Sequence, residues 1–162
     1  PWLSDPDFGV KASMGRADEI QTCIACNQAC LDNIFLRKTA SCLLNPKACH
    51  ETEFKENQHS GVTKNILVVG AGPAGLAFSV EAASRGHRVT LLESRSEIGG
   101  QFNLAARIPG KEEFRESIRY YDSQLKRLGV DLRLGVKATL GEILGLEKQK
   151  ALRFDHIVLS TG

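Results

Sequence analysis

Blocks of apolar and polar residues alternate along the second half of the chain, and they predict a parallel α/β domain. Four consecutive apolar residues, Ile66–Val69, predict a strand that is buried on both faces. Helical periodicity follows from Pro73 to Arg85, with a proline at its start and Gly86 at its end. A second strand is predicted over 88–92, so the three elements form one right-handed βαβ unit of about thirty residues.

The remaining residues of this half continue the alternation. An amphipathic helix is predicted over 111–128, followed by a strand over 130–134 and a last strand over 157–160. Residues 141–150 are weakly patterned and predict either a helix or a loop. This order of elements favours a doubly wound, three-layer domain that begins near Asn65.

The first half of the chain lacks this regular pattern. Residues 1–22 are polar, interrupted by proline and glycine, and predict at most a short helix over 16–20, so we expect this linker to pack against another domain. Residues 23–50 mix short apolar pieces with turns, as expected where a metal substitutes for a hydrophobic core. The polar stretch 51–64 is the best candidate for a boundary between the cysteine-containing residues and the domain that begins near Asn65. Turn-rich residues at the start and a final strand that runs into Gly162 indicate a fragment of a longer polypeptide.

The amino-acid composition argues against several classes of function. The 162 residues, 42% of them hydrophobic, suit one domain plus a tail. Lys and Arg (21) nearly balance Asp and Glu (19) along the chain, which argues against a nucleic-acid groove or a polybasic membrane patch. No apolar run approaches the roughly 18 residues of a membrane span, and no signal peptide is recognisable, so a cytoplasmic location is predicted. Five cysteines in such a chain favour metal-bound thiolates over disulfides.

The cysteine spacing indicates a metal centre. Cys23, Cys26 and Cys30 lie in one short run, and Cys42 follows after eleven further residues. Three ligands in one loop with a distant fourth are typical of a [4Fe–4S] cluster. Zinc remains an alternative, although zinc ribbons usually carry two separated pairs of cysteines. The neighbouring Cys49 and His50 are not assigned as ligands, because an isolated pair of this kind is more often incidental.

The run Gly70–Gly75 follows the first strand and opens the first helix, which is the context of a dinucleotide-binding motif. The first glycine permits a tight turn, Gly72 allows a pyrophosphate to approach the backbone, and the last glycine lets the helix pack on the sheet. The amino terminus of that helix would stabilise the anionic phosphate oxygens. The alternative, a glycine-rich turn that binds nothing, is disfavoured by this context.

An acidic residue completes this motif. Glu93 ends the second strand eighteen residues after Gly75, where its carboxylate can accept from both ribose hydroxyls and would repel a 2′-phosphate. FAD and NAD therefore both remain open, and NADP is disfavoured at this site. The loop at Gly99–Gln101 is either a second cofactor contact or a plain turn. Lys111 could pair with a phosphate or with solvent, and Tyr120 and Tyr121 are interpreted as packing residues.

The two motifs together predict electron-transfer chemistry. An iron–sulfur cluster moves single electrons whereas a nicotinamide transfers a hydride, and a flavin can exchange with both. The chain is therefore interpreted as part of an electron-transfer flavoenzyme.

On these motifs the chain resembles bacterial NADPH-dependent 2,4-dienoyl-CoA reductases, in the family of iron–sulfur flavoproteins that includes trimethylamine dehydrogenase. The resemblance covers the whole chain, and the 98–102 and 108–114 strings are especially specific to it. The strings that carry it are Ser4–Phe8, Cys23–Asp32, Asn45–Pro46, Cys49–Glu51, Val69–Leu76, Ile98–Phe102 and Ile108–Phe114.

The resemblance implies three parts. Residues 1–22 would be the exit of a missing (β/α)₈ barrel that holds FMN, residues 23–60 would bind the [4Fe–4S] cluster, and residues 61–162 would be the first part of a Rossmann-like FAD-binding domain. The implied cluster ligands are Cys23, Cys26, Cys30 and Cys42. The implied FAD contacts are Gly70, Ala71, Gly72, Pro73, Ala74, Gly75, Glu93, Gly100, Gln101, Lys111 and Ala138. No catalytic residue is assigned within the chain.

The resemblance also implies a reaction. Hydride would pass from NADPH to FAD, single electrons would pass through the cluster to FMN, and FMN would reduce an unsaturated fatty acyl-CoA. The FMN barrel and the NADPH domain would be partners within the same polypeptide, and the chain alone should not reduce dienoyl-CoA. Two alternatives remain open. An amine dehydrogenase is less favoured because of the three-residue spacing between Cys26 and Cys30 and the string Ile108–Lys111, and a non-enzymatic metal-binding module is disfavoured by the complete βαβ motif.

Overall fold

A computed structural model of the chain describes residues 2–54, 61–150 and 153–161, apart from the side chain of Lys150. The predicted junction of the cysteine segment with the dinucleotide-binding domain falls partly on 55–60, outside the described residues, as do the two terminal residues. We call residues 2–54 the cysteine segment and the described residues from Asn65 onward the Rossmann-like domain. The helices are α1 (Phe8–Ser13), α2 (Leu31–Phe35), α3 (Pro73–Ser84), α4 (Phe102–Ala105), α5 (Phe114–Arg127) and α6 (Leu140–Lys150), and Ala17–Glu19 form a 3₁₀ turn.

The described residues form one parallel sheet of four strands, and all four predicted strands are confirmed. The order across the sheet is β3–β2–β1–β4, so β1 lies in the interior and pairs with both β2 and β4. The last strand along the chain therefore returns beside the first, and its carboxyl end lies next to the glycine motif. The strands are β1 (Asn65–Val69), β2 (Arg88–Glu93), β3 (Asp131–Leu134) and β4 (His156–Leu159).

The predicted three layers are confirmed by the way β1 divides its side chains. Successive residues of a strand point to opposite faces. Ile66 and Val68 pack with residues of α3 and α5, whereas Leu67 and Val69 pack with Leu146 of α6. Because helices cover both faces, the strand can be apolar at every interior position, which is why an unbroken apolar run predicted it.

Some helices begin or end differently from the predictions. The helix predicted from Lys111 begins at Phe114, because Gly110 has φ +81° and the next three residues form a turn. The weakly patterned stretch 141–150 lies in α6. The short helices α1, α2 and α4 were not predicted, since four to six residues are too few to display a helical period.

The cysteine segment begins with an ordered turn within residues 1–22, which were predicted to be a linker. Asp5 is 3% exposed, and its carboxylate accepts from Lys11 Nζ at 2.7 Å, from the backbone N–H of Asp7 at 3.1 Å and from the backbone N–H of Gln21 at 2.9 Å. This carboxylate therefore joins both ends of the first twenty residues. Within the described residues, no helix is long and apolar enough to cross a membrane.

Candidate functional site

A cleft of about 1060 Å³ opens at the carboxyl ends of β1, β2 and β4, where open parallel sheets generally bind ligands. Eight of the predicted cofactor contacts line it: Gly70, Gly72, Pro73, Ala74, Glu93, Gly100, Gln101 and Ala138. The walls also include residues that the sequence analysis missed, among them Ser94, Arg95, Val136, Lys137, Ser160 and Thr161. The structure thus gathers most of the predicted set in one place.

Two of the glycines in the motif are needed by the fold itself. Gly70 has φ +102°, and a Cβ atom there would lie 2.6 Å from the carbonyl oxygen of Ser160. A Cβ on Gly75 would lie 1.9 Å from the carbonyl oxygen of Gly70 and 2.6 Å from Ser160 Oγ. Because these neighbours are mostly backbone, no rotamer change could relieve the contacts. The absence of a side chain at Gly70 and Gly75 lets α3 and β4 approach the end of β1 closely.

Gly72 differs from its neighbours in the motif. Its φ of −74° and ψ of 178° are open to any residue, and a Cβ there would meet no protein atom within 4 Å. The residue lines the cleft, so the open space in front of it belongs to the cleft. The fold does not require this glycine, whereas a ligand lying against the backbone would.

The second glycine loop packs directly on the first. A Cβ on Gly100, whose φ is +51°, would lie 2.9 Å from Gly72 Cα, and the backbone N–H of Gly99 donates to the carbonyl of Ala71 at 2.8 Å. The two loops therefore form one continuous wall. The structure thus places Gly100 and Gln101 beside the glycine motif, and their contact with a cofactor stays a prediction.

The hydroxyl of Ser160 fastens the end of β4 to this wall. Ser160 Oγ lies 2.9 Å from the carbonyl oxygens of both Val69 and Gly70, which share its one hydrogen. The apolar pattern predicted the end of the last strand at this residue and indicated no role for it. The signal that could have found it is topological, since the carboxyl end of a strand beside β1 must face the glycine motif.

The amino terminus of α3 points its unpaired backbone N–H groups toward the cleft. Its N-cap is Gly72 and its first residue is Pro73, and no side chain of the described residues caps it. The first N–H groups of a helix need acceptors, and the helix dipole favours a negative charge there. The cleft is therefore suited to an anionic group such as a pyrophosphate.

Glu93 lies in the cleft wall with most of its acceptor capacity already used. Its Oε2 accepts from the N–H of Ala71 at 2.7 Å, and its Oε1 accepts from the N–H of Arg95 at 2.9 Å and from Ser94 Oγ at 3.1 Å. Burial acts to raise the pKa of this carboxyl, but the donors from Arg95 and Ala71 outweigh it, so the net pKa is lowered. A carboxylate has about four acceptor positions, which leaves about one for a ribose hydroxyl in this arrangement.

Three predicted contacts do not line the cleft. Ala71 is fully buried behind the wall, where its N–H holds Glu93, and Gly75 lies under the first turn of α3. Lys111 extends toward Phe114, with Nζ 5.9 Å from the ring centroid. Its contact with a phosphate therefore stays a prediction that this arrangement does not support. Ala71 and Gly75, by contrast, shape the cleft through their backbone atoms.

A second cavity, of about 290 Å³, lies in the cysteine segment, and all four predicted ligands line it: Cys23, Cys26, Cys30 and Cys42. The rest of the wall is mostly apolar and includes Trp2, Leu3, Ile24, Leu43 and Leu44. An apolar wall of this kind would shield a charged centre from water and strengthen its interactions.

The backbone of the first cysteine loop adopts an unusual conformation. Ala25 and Asn27 have φ of 52° and 57°, in the left-handed region that alanine rarely occupies. The N–H of Ala25 points to Cys23 Sγ at 3.4 Å, so the turn directs a backbone donor to a predicted ligand. Such a strained conformation suggests a functional constraint on the loop.

Cys49 and His50, which were not assigned as ligands, are not among the residues that line this cavity. Cys49 is exposed with φ 62°, and His50 Nδ1 lies 3.0 Å from Glu53 Oε1. Across 2–54, 61–150 and 153–161, no three His, Cys, Asp or Glu side chains are grouped as a single metal ion would need. A cubane distributes four thiolates over four irons, whereas zinc holds them about 2.3 Å from one point.

The chain is similar to segments of larger oxidoreductases. It is 41% identical over 160 residues to a metal reductase of Desulforamulus reducens and 36% identical over 165 residues to an N,N-dimethylglycine/sarcosine dehydrogenase of Chromohalobacter salexigens, each match covering 99% of this chain. The structure of a 2-naphthoyl-CoA reductase in complex with 2-naphthoyl-CoA superposes with a TM-score of 0.92 at 37% identity over the whole chain. These proteins include both reductases and an amine dehydrogenase.

Each of these matches covers only part of the other protein. The chain spans 24% of the metal reductase and of the naphthoyl-CoA reductase, and 22% of the dehydrogenase. The family model described as an NAD(P)-binding Rossmann-like domain matches residues 68–127, which contain the glycine motif, Glu93 and α5. The chain is therefore a homologue of one segment of these larger oxidoreductases, and it contains a Rossmann-like dinucleotide-binding domain.

Proposed function

We propose that this chain is the electron-transfer portion of an NADPH-dependent reductase of the 2,4-dienoyl-CoA reductase kind, with FAD in the cleft and a [4Fe–4S] cluster in the cysteine cavity. The observation that carries the proposal is the presence, in one short chain, of two separate cavities lined by the two predicted sets of residues. A cytoplasmic location and the partnership with an FMN barrel and an NADPH domain are parts of the same proposal.

The cleft fits a flavin dinucleotide in three respects. It offers open backbone at Gly72, an uncapped helix terminus at Pro73 and a carboxylate at the end of β2. The ionised Glu93 would repel a 2′-phosphate, which favours FAD or NAD over NADP in this cleft. Arg95 and Lys137 supply positive charge along the same wall.

The cysteine cavity fits a cluster by its donor set. Four cysteines line one cavity, left-handed residues lie between the first two and directly after the second, and a backbone N–H points to one sulfur. Bound there, a [4Fe–4S] cluster would exchange single electrons with a flavin. The residues of this chain would hold the cluster, exclude water from it and fix its position.

The substrate is the finer part of the proposal. The relative with a bound aromatic acyl-CoA favours an acyl-CoA as the electron acceptor of the whole protein. A relative that oxidises N,N-dimethylglycine or sarcosine supports a second candidate, an amine dehydrogenase that passes electrons outward. Because the substrate would bind outside this chain, the preference for the reductase rests on that relative, on the Cys26–Cys30 spacing and on the string Ile108–Lys111.

Analysis of the full-length protein, purified without oxygen, tests the cofactors first. We expect about four iron and four acid-labile sulfide per chain, together with FAD released on denaturation. Zinc without sulfide would overturn the cluster, and the absence of FAD would overturn the assignment of the cleft. Neither result depends on finding a substrate.

A comparison of electron acceptors then tests the substrate class. With NADPH as donor, we expect the full-length protein to reduce a 2,4-dienoyl-CoA, and we expect no oxidation of a secondary or tertiary methylamine with an artificial acceptor. The opposite result would select the amine dehydrogenase. A non-enzymatic metal-binding module is the remaining outcome, recognised by a bound metal without flavin and without either activity.

A further inference from the structure

Polar side chains on one stripe of α5 attach the cysteine segment to the Rossmann-like domain. Arg119 NH1 donates to the carbonyl of Asp18 at 3.0 Å and to that of Ala17 at 3.3 Å, and NH2 donates to the carbonyl of Ile20 at 3.0 Å. One guanidinium thus holds three carbonyls of the turn that begins at Ala17. Because the donor is charged, each bond is stronger than one between neutral groups.

The neighbours of Arg119 on α5 support the same contact. Glu116, one turn earlier, accepts from Arg119 Nε at 2.7 Å and so fixes the plane of the guanidinium. Ser123, one turn later, lies with Oγ 3.1 Å from Asp18 Oδ2. The spacing of three and four residues places these side chains on one face of the helix. The contact is therefore built along the helix and not at a single residue.

The turn held by Arg119 continues directly into the cysteine cavity. Ile20 is followed by Gln21, which is 8% exposed, and Cys23 comes two residues later. Gln21 Nε2 donates to the carbonyl of Leu44 at 3.0 Å, two residues after Cys42. A displacement of the turn would therefore move both the first cysteine loop and the loop of the distant fourth cysteine.

The first residue of α5 contacts the short helix α4, which begins directly beside the dinucleotide cleft. Phe114, its first residue, packs edge-to-face on Phe102 with ring centroids 4.8 Å apart. Phe102 opens α4 directly after Gln101, and its N–H donates to the carbonyl of Gly99 at 2.9 Å. The same helix thus contacts the glycine loop of the cleft at one end and the cysteine segment along its side.

We propose that Arg119 is a positioning residue that fixes the cysteine cavity relative to the dinucleotide cleft, and so sets the separation of the two redox sites. The inference rests on the proposed function, because the separation matters only if electrons cross it. Electron transfer between two bound centres slows as their separation grows, so a displacement of the cavity relative to the cleft has a measurable effect on its rate.

The chemistry of arginine suits this task. Its planar guanidinium presents five N–H donors in a fixed fork, whereas the lysine ammonium is a compact group on a flexible stem. Lysine at this position would keep the charge but could not reach carbonyls of Ala17, Asp18 and Ile20 together. The variant Arg119→Lys therefore separates the charge of the residue from its geometry.

The test compares Arg119→Gln, Arg119→Lys and Arg115→Gln in the full-length protein. Arg115 is exposed on the same helix, so its variant is a matched control for the loss of one positive charge. Hydrogen exchange is measured at the amides of Glu19, Ile20 and Gln21, which are bonded to Arg16, Ala17 and Asp5. We expect Arg119→Gln to accelerate exchange there about tenfold or more, Arg119→Lys to accelerate it less, and the control to leave it unchanged.

Stopped-flow absorbance without oxygen then separates two electron-transfer steps in the same proteins. The first step, hydride transfer from NADPH to the flavin, should keep its rate in all three variants. The second, in which the flavin is oxidised by one electron and the cluster is reduced by one, should slow about tenfold or more in Arg119→Gln. The slowing should be smaller in Arg119→Lys and absent in Arg115→Gln.

Two results would overturn the positioning role. One is normal exchange at the turn in Arg119→Gln, and the other is faster exchange with a normal rate of cluster reduction. If Arg119→Gln does not retain the cluster, the exchange of the turn and the rate of cluster reduction in Arg119→Lys decide the question. The iron, sulfide and flavin content of the parent protein reports separately on the proposed function, so failures of the two proposals are distinguishable.

Discussion

The Rossmann-like domain and the cysteine segment are stabilised in different ways. The domain has its own core, in which Leu67, Val68, Leu91 and Leu92 are fully buried between two helical layers. The cysteine segment buries few apolar side chains and leaves others in solvent, among them Phe35 at 80% exposed. It is held instead by hydrogen bonds to Asp5, Gln21 and Arg119, and it surrounds a cavity lined by thiols.

This difference shows which interactions determine the conformation of each region. An apolar core specifies a fold through packing and requires no ligand. A segment with a small core needs another source of stability, and a bound metal or cluster is a common one. The strained backbone at Ala25 and Asn27 lies in the second region, where ligation could compensate its cost. The comparison therefore predicts that the two regions respond differently to substitution.

The largest effect is expected from Gly75→Ala. The added Cβ would lie 1.9 Å from the carbonyl oxygen of Gly70 and 2.6 Å from Ser160 Oγ, so α3 must move away from β1. We expect a loss of at least about 3 kcal/mol in the free energy of unfolding of the domain, since backbone cannot yield as a side chain does. Thermal unfolding of the flavin-free protein measures this loss.

Gly72→Ala is the matched control in the same motif. Its Cβ would meet no protein atom within 4 Å, so the unfolding temperature should remain near that of the parent protein. Affinity for FAD should fall instead, because the new methyl group would occupy the cleft. Equal destabilisation by the two substitutions would show that Gly72 is also required by the fold.

The glycine motif at Gly70–Gly75 shows which features of the domain the sequence predicts and which it does not. The apolar run before Gly70 and the helical pattern after it predicted β1 and α3 closely, because strand and helix periods are local properties. The separate roles of Gly72 and Gly75 were also predictable from their places in the motif. The part played by Ser160 was not, since it depends on β4 returning beside β1 after ninety residues of intervening chain.

A cysteine substitution should have the next largest effect, confined to the other region. We expect Cys42→Ser to lose the cluster and to release the loops that Cys42 joins. Ser41 N–H donates to the carbonyl of Ala29 at 2.8 Å, and Asp32 N–H donates to that of Asn27 at 3.0 Å. These amides should exchange at least about a hundredfold faster, as expected when a metal that organises a segment is lost.

The control is Cys49→Ser, since Cys49 is exposed and does not line the cysteine cavity. Iron content and exchange should both match the parent protein in this variant. The amides of β1 and β2 should be unaffected in both variants, because those strands lie in the independent core. Faster exchange of the sheet in Cys42→Ser would contradict the division into two regions.

A smaller effect, dependent on pH, is expected within the domain from Glu93→Gln. The carboxylate accepts three hydrogen bonds, and its lowered pKa means that the ionised form stabilises the folded state. An amide has one acceptor oxygen, so it cannot accept from both sides of the group, and the buried N–H of Ala71 is left unpaired when that oxygen turns toward Arg95. We expect a loss of about 2 kcal/mol at neutral pH, measured by urea denaturation of the flavin-free protein.

The sign of the pH dependence follows from the direction of the shift. A carboxyl whose pKa is lower in the folded state adds stability above its unfolded pKa, about 4.3 for glutamate, and loses it as the pH falls through the folded pKa. The difference between parent and variant should therefore be constant near neutral pH and shrink below about pH 4. A difference that grows with acidity would contradict the hydrogen-bond arrangement around Glu93.

The cysteine segment was less predictable for a physical reason. The spacing of the cysteines predicted four ligands, and these four residues line one cavity, while their binding of a cluster stays a prediction. The helices α1 and α2 and the buried carboxylate of Asp5 gave no periodic signal, because polar contacts between distant residues hold them. The contacts of Arg119 join residues about one hundred positions apart, and no pattern along either segment contains them.

The smallest effect is expected at two buried serine hydroxyls in the core of the domain. Ser79 of α3 and Ser117 of α5 are fully buried, and their hydroxyls have no hydrogen-bond partner in the part of the chain that the structure describes. The substitutions Ser79→Ala and Ser117→Ala should each raise the free energy of unfolding by about 1 kcal/mol, because a desolvated hydroxyl without a partner is removed and the small volume is kept.

The control is Ser160→Ala, which removes a hydroxyl that is hydrogen-bonded to backbone carbonyls. This substitution should lower the free energy of unfolding by a similar amount. Denaturation of the three variants decides between these signs, and a loss of stability in Ser79→Ala or Ser117→Ala would mean that a buried water or a helix carbonyl already satisfies the hydroxyl.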